Sequence, residues 1–188
     1  VDPAATPASR RVEGFDTLPA YVKLMTYGMS CEPTLANDEM VRGQMNLGWC
    51  SALTARRVLR QPKCVTHQLM GIMLLAQRRC GDATQLAALT RGLQDRIEDE
   101  MSLDIVMRDE YLQRVLMLYW TGVPEQVKPV WLRRVLRAQQ PDGSWRYDAQ
   151  WTTPAPDEPG DVVTGFHATA QGMLIVALAL QQAAVQGR

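Results

Sequence analysis

The sequence lacks an excess of charge of either sign, with 20 Lys and Arg residues against 20 Asp and Glu residues. A nucleic-acid-binding domain needs surplus basic residues to neutralise phosphates, so this balance argues against nucleic acid as a partner. No uninterrupted apolar run approaches the roughly 18 residues that a membrane-spanning helix needs. The remaining composition, 46 % hydrophobic and 21 % charged, is typical of globular proteins. We therefore expect a folded domain without a membrane span.

The sequence also lacks the short motifs that identify common phosphate-binding, metal-binding and catalytic sites. It contains no Gly-rich phosphate loop, no HExxH pair, no nucleophile elbow and no EF-hand loop. Histidine is scarce, with two residues in 188. We expect no metal and no cofactor, and these absences leave open whether the protein is an enzyme.

The beginning of the chain has no apolar periodicity. Residues 1–11 contain two prolines and three alanines and do not start with Met. This composition is typical of a disordered arm, and it also fits a mature chain after removal of a targeting segment, or the boundary of a fragment. We predict a disordered arm over residues 1–14 and a single α-helical domain over 15–188.

The four cysteines, Cys31, Cys50, Cys64 and Cys80, all lie in the first half of the chain and form no CxxC pair. A structural zinc site is therefore not expected. If residues 64–80 form one helix, its ends lie about 24 Å apart, so Cys64 cannot pair with Cys80. Three successive antiparallel helices would bring Cys31 and Cys80 to the same end, which favours a Cys31–Cys80 disulfide. One or two disulfides and four buried free thiols both remain open.

Apolar residues recur at helical spacing in nearly every segment, and no segment alternates as a strand does. This predicts an all-α fold of about seven helices, with a polar loop over 141–162. The predicted helices are Leu18–Met29, Asn37 or Asp38 to Arg60, Val65–Arg79, Asp82 to about Glu100, Arg108–Trp120, Glu125–Gln140 and Val163–Val185. Three segments are apolar on most sides, whereas the helices between them have charged faces. These segments are 67–76, 111–120 and 167–178. Such alternation is typical of two concentric helix layers.

The most specific motif is VLRAQQPDGSW, residues 135–145. Gly143 permits a turn directly after a helix, and Asp142 can accept hydrogen bonds from backbone amides in that turn. One of the two glutamines can bind the following segment through its side-chain amide. Trp145 can then pack over the junction. The motif predicts a structural connection between two helices.

This motif resembles the QW repeat of the terpenoid cyclase and protein prenyltransferase superfamily. The resemblance covers about residues 127–180, including the apolar helix that begins near His167. It implies an α/α toroid, of which about seven helices would form a partial or half ring. The superfamily's Asp-rich acid motif, its zinc-binding Asp-x-Cys and its late Cys and His ligands have no counterpart here. The resemblance therefore implies a fold without supporting the superfamily's chemistry.

Candidate catalytic residues are few. His67 and His167 each stand near the start of an apolar helix, where they could act as a general acid/base pair facing the centre of a toroid. A carbohydrate-active enzyme resembling a polysaccharide lyase would use one of them with Tyr147 or Tyr111. The alternative, which we favour, is that both histidines hydrogen-bond to backbone or a neighbouring loop.

Candidate ligand-binding residues cluster in the loop after the motif. This set combines aromatic rings with polar groups, as carbohydrate and apolar-ligand sites do. Its members are Trp145, Tyr147, Trp151 and Asp161, together with Tyr111 from the preceding apolar helix. The alternative is that the two tryptophans only seal a short helix connection.

These observations favour a non-catalytic protein that binds a small apolar molecule or a partner segment in the concave centre of a toroid. The alternatives are the carbohydrate-active enzyme and an interaction or scaffold protein that dimerises to complete the ring. A disulfide would indicate a periplasmic or secreted protein, and free thiols a cytoplasmic one.

Overall fold

The computed structural model describes residues 14–50, 63–145 and 160–187, and within the last range the side chains of 165–185 and 187. These residues form an all-α fold, as predicted, whose one β-type pairing is an isolated bridge between Gln139 and Trp145. Three short 3-10 turns accompany the α-helices, at Phe15–Thr17, Leu35–Asn37 and Pro124–Gln126. The described α-helices are α1 (Ala20–Ser30), α2 (Glu39–Gln44), α3 (Cys64–Arg78), α4 (Ala83–Leu103), α5 (Asp109–Trp120), α6 (Pro129–Arg137) and α7 (Gly160–Gln186).

Two of the helices begin at aspartates that cap them through their side chains. The side chain of Asp38 accepts hydrogen bonds from the amides of Met40 and Val41 at the start of α2. Asp82 accepts one from the amide of Gln85 at the start of α4. Both carboxylates satisfy amides that have no partner within the helix.

The predicted long second helix is wrong, because α2 ends at Gln44. The ring of Trp49 lies against Gly43, where an added Cβ would come within 2.5 Å of its Cζ3 atom. A glycine therefore lets the chain turn back onto its own helix. The predicted sixth helix is also shorter than expected, because Pro124–Gln126 is a separate 3-10 turn and α6 begins with Pro129 at its first position.

The chain divides into two compact units, of which unit 1 comprises Val1–Ser51 and His67–Arg91, and unit 2 comprises Ala52–Thr66 and Gly92–Arg188. The division falls within α3 and α4. The QW-like motif and most of the candidate site residues belong to the part of unit 2 that begins at Gly92.

Unit 1 rests on a close crossing of α1 with α3. A Cβ added at Gly71 would meet Leu24 at 2.5 Å, and one at Gly28 would meet Leu74 at 2.8 Å, so two glycines allow the backbones to approach. The structure joins Cys31 to Cys80 in a disulfide, with 5.6 Å between their Cα atoms, the pair that the spacing favours. None of the four cysteines is a free thiol.

Unit 2 is built around α5, whose residues Glu110 to Leu118 are all buried. The longest helix, α7, packs along α5, and α6 contacts α5 as well. The Thr66 hydroxyl donates a 2.6 Å hydrogen bond to the Gln113 side chain, so this buried amide has a partner within the unit.

Candidate functional site

The QW-like motif forms a tight turn between α6 and the following segment. Gly143 has φ +83°, a backbone conformation that favours glycine. The Asp142 carboxylate accepts a hydrogen bond from the Ser144 amide at 3.0 Å, and the Gln139 side-chain amide donates to the carbonyl of Gly143 at 3.1 Å. Each residue type of the motif thus has a structural task in the turn.

Trp145 closes the junction between this turn and α7. Its indole Nε1 donates a 2.8 Å hydrogen bond to the carbonyl of Val135, and its backbone amide donates to the Thr169 hydroxyl at 3.0 Å. The indole ring lies directly on Gly172, where an added Cβ would collide with the ring. Trp145 is 1 % exposed. This burial corresponds to the alternative in which the tryptophan seals a helix connection, and it leaves no face for a ligand.

A polar cluster lies where α7 packs on the start of α5. His167 Nδ1 lies 2.8 Å from the carboxylate oxygen Oδ1 of Asp109, and the Gln171 side-chain amide nitrogen lies 3.4 Å from the same oxygen. Burial raises the pKa of Asp109, with a further rise from Glu110 and an opposing effect from His167. The Gln171 amide nitrogen also lies 3.0 Å from Nε2 of His167. Both ring nitrogens of His167 therefore have a neighbour within unit 2, while the side chain itself is 55 % exposed to solvent.

The other predicted site residues are not brought to this cluster by the described contacts. His67 belongs to unit 1, where its ring packs edge-on against Tyr21 at 4.5 Å between centroids. Tyr111 is fully buried, and this burial raises the pKa of its hydroxyl against the opposing effect of the Arg134 guanidinium. Tyr147 and Trp151 lie outside the described residues, as does the side chain of Asp161 in α7.

Unit 2 also contains a buried ionic cluster that the sequence patterns do not single out. The guanidinium of Arg114, on α5, donates to Glu100 Oε2 at 2.7 Å through Nε and to the Asp104 carboxylate through an Nη atom. Arg114 is fully buried, and Asp104 is 2 % exposed. Desolvation raises the pKa of Glu100, although Arg114 opposes that rise. Because this cluster is buried on all sides, we assign it a structural role, in which it joins the end of α4 to α5.

No group of three or more His, Cys, Asp or Glu side chains in the described part of the chain is arranged to hold a metal ion.

The outer side of α7 departs most from expectation. A helix that is apolar on most sides is normally buried, yet several large apolar side chains of α7 face solvent. Within this surface, six residues follow an alternating spacing of four and three, and we call them the α7 stripe: Phe166, Ala170, Met173, Ala177, Leu180 and Ala184. Ala170 is half-buried, and Leu174 and Val185, which lie beside the stripe, are exposed as well. Phe166 is 76 % exposed, Met173 62 % and Leu180 66 %. The opposite side of the helix, at Ala168, Gln171, Gly172 and Ile175, is buried.

α7 itself carries no Asp, Glu, Lys or Arg side chain along the stripe. No Asp, Glu, Lys or Arg occurs between residues 162 and 187. By length and composition alone, Gly165–Val185 is apolar enough to cross a membrane, with a mean hydropathy of 1.4, and 22 % of it is buried in the fold. Core helices of globular proteins share this composition, and the buried side of α7 carries the polar contacts of His167, Thr169 and Gln171 to unit 2.

A shallow cleft of about 380 Å³ adjoins the last turns of α7. Its lining contains polar groups from Tyr119, Glu125, Gln181 and Gln182, and apolar groups from Leu178 and Val185. Its mixed lining lacks the dense apolar surface that encloses most small-molecule ligands.

No family model matches the chain, and no curated protein or solved structure was found that is similar to it. The resemblance to the terpenoid cyclase superfamily therefore depends on the QW-like motif alone.

Sequence reasoning placed α7 correctly and missed its exposure. The spacing of four and three residues from Phe166 to Ala184 is visible in the sequence. Because α7 is apolar on nearly every side, this spacing alone does not distinguish the exposed face from the buried face.

Proposed function

We propose that this chain is a non-catalytic binding protein that receives an apolar helical segment on the α7 stripe. The observation that carries the proposal is the exposure of Phe166, Met173 and Leu180 on one side of a helix whose opposite side is buried. Covering each of these side chains contributes about 1.5 to 3 kcal/mol of favourable transfer free energy. A contiguous apolar surface of this kind typically marks an interaction site.

The spacing of the stripe favours a helical partner. Apolar residues at alternating intervals of four and three form the seam of a coiled coil, in which side chains of one helix fit between those of another. The stripe extends for 18 residues, or roughly 27 Å at 1.5 Å per residue. Its length corresponds to five turns of a partner helix.

The α/α toroid-like arrangement is part of this proposal. Its support is local, in the DGSW turn and in the packing of Trp145 between Val135 and Gly172. A partial ring would leave apolar helix surface for a partner to cover. We also propose a periplasmic or secreted location, supported by the Cys31–Cys80 disulfide, which persists in oxidising compartments.

The second candidate, a carbohydrate-active enzyme, is supported by the pairing of His167 with Asp109. A general base needs a ring nitrogen that can reach substrate. His167 is 55 % exposed and could meet this need, but the hydroxyl of Tyr111 is buried and does not lie beside it, so we rank this candidate below binding.

The binding proposal predicts that an uncharged Leu/Ala heptad peptide, labelled with a fluorophore, binds the protein and that Met173→Glu weakens this binding at least about tenfold. The substituted carboxylate would be desolvated at the centre of the seam. The matched control is Ala183→Glu, which adds the same charge to an exposed position of α7 away from the stripe. Fluorescence anisotropy at nanomolar protein concentration measures both affinities. Equal weakening by the two variants, or no binding by the wild type, would overturn the proposal.

A further inference from the structure

The α7 stripe alternates in side-chain size as well as in spacing. Every large residue is followed four positions later by alanine, so that Phe166, Met173 and Leu180 occupy one heptad position and Ala170, Ala177 and Ala184 occupy the other. Coiled-coil seams are filled best when large and small side chains meet across the interface. A partner helix would therefore pack well if it placed a small side chain opposite each large residue of the stripe and a large side chain opposite each alanine.

A second copy of α7 presents that complement if it runs antiparallel. With a two-fold axis passing near residue 175, Phe166 faces Ala184 of the second copy, and Leu180 faces its Ala170. Met173 at the centre faces its Ala177. Every layer of the seam then contains one large side chain and one alanine. A parallel pair would instead set large against large and alanine against alanine, which alternates crowding with gaps.

The lack of charged residues on α7 is also compatible with a second copy of α7 as the partner. In a two-fold symmetric interface the same patch occurs on both subunits, so a charge near the axis would approach its own copy. Residues 162–187 contain no Asp, Glu, Lys or Arg, so α7 itself brings no charged side chain of this kind to the axis. A membrane surface would call for Lys or Arg residues bordering the apolar face, and α7 lacks them there.

We infer that the occupant of the α7 stripe is a second copy of this chain, with the two α7 helices antiparallel about an axis near residue 175. The inference rests on the proposed function, since it identifies the partner of the same surface. The dimer would be isologous and would bury Phe166, Met173 and Leu180 of both copies.

Sedimentation velocity from about 1 to 100 μM tests the association. We expect a concentration-dependent dimer, with a dissociation constant that rises at least about tenfold in Met173→Glu and stays unchanged in Ala183→Glu. A dimer that Met173→Glu leaves intact would use another surface and would overturn the inference. A protein that stays monomeric yet binds the heptad peptide would overturn the inference and leave the proposed function standing. A monomer that binds no peptide would overturn both.

Engineered cysteines test the orientation of the two helices. All native cysteines are in disulfides, so an introduced cysteine is the one free thiol of each variant. An antiparallel pair predicts that a mixture of Phe166→Cys and Ala184→Cys proteins forms a disulfide between the two variants, and that neither variant cross-links efficiently alone. Rapid cross-linking of Phe166→Cys with itself would show a parallel pair and contradict the inference, because an antiparallel pair separates these positions by roughly 27 Å.

Discussion

Replacing Trp145 with alanine should lower the free energy of unfolding by about 3 to 5 kcal/mol, the usual cost of removing a large buried aromatic side chain. The indole is 1 % exposed and fills the space above Gly172, so its removal leaves a cavity between the DGSW turn and α7. It also removes the indole N–H that donates to the carbonyl of Val135, which keeps the Ala138 amide at 3.2 Å as a donor. Chemical denaturation followed by circular dichroism measures the loss.

The matched control is Trp120→Ala, because Trp120 is 43 % exposed at the end of α5. We expect that variant to lose less than about 1.5 kcal/mol. Trp145→Phe should fall between the two, since it keeps most of the buried apolar area and loses the hydrogen bond to Val135, a cost of about 1 to 3 kcal/mol. Equal losses for Trp145→Ala and Trp120→Ala would contradict the structural role assigned to the motif.

Replacing Arg114 with methionine should destabilise unit 2 by about 3 to 5 kcal/mol at neutral pH. The substitution keeps an apolar side chain of similar length and leaves the carboxylates of Glu100 and Asp104 buried without their shared cation. The control Arg133→Met removes an exposed arginine of α6 and should change stability by less than about 0.5 kcal/mol.

The pH dependence of this loss identifies its cause. Burial already raises the pKa of Glu100 in the folded protein, and removing Arg114 would raise it further. A carboxyl group with a raised folded pKa favours folding below its unfolded pKa, and this contribution is lost as the pH rises through the folded pKa. The deficit of Arg114→Met should therefore shrink between neutral pH and about pH 4. A deficit that does not change with pH would indicate lost packing and not uncompensated charge.

The helices could largely be predicted because their boundaries are local. Asp38 and Asp82 act as N-caps through the adjacent amides, and Gly143 allows a turn that depends on residues 139–145 alone. The Cys31–Cys80 pair was favoured on the condition of three successive antiparallel helices, and the structure joins this pair although α2 is much shorter than that condition assumed. The end of α2 was not predicted, although the contact of the Trp49 ring with Gly43 spans six residues, because helical periodicity does not show where a side chain folds back onto its own helix.

The candidate site was harder to predict for the same reason. The buried position of Trp145 depends on Gly172, 27 residues later, and the partner of His167 is Asp109 on another helix. The apolar character of α7 was evident from its composition, whereas the exposure of Phe166 and Leu180 depends on what the rest of the chain covers. Periodicity describes the faces of a helix and does not say which neighbour meets each face.

The most direct test of the central claim, that the α7 stripe is the binding surface, is the emission of an environment-sensitive fluorophore attached to Ala177→Cys. We expect a blue shift when the heptad peptide is titrated in, because the label moves from water into an apolar seam, and no shift for the same label at Ala183→Cys. Equal shifts at both positions, or no shift at Ala177→Cys with saturating peptide, would contradict the account.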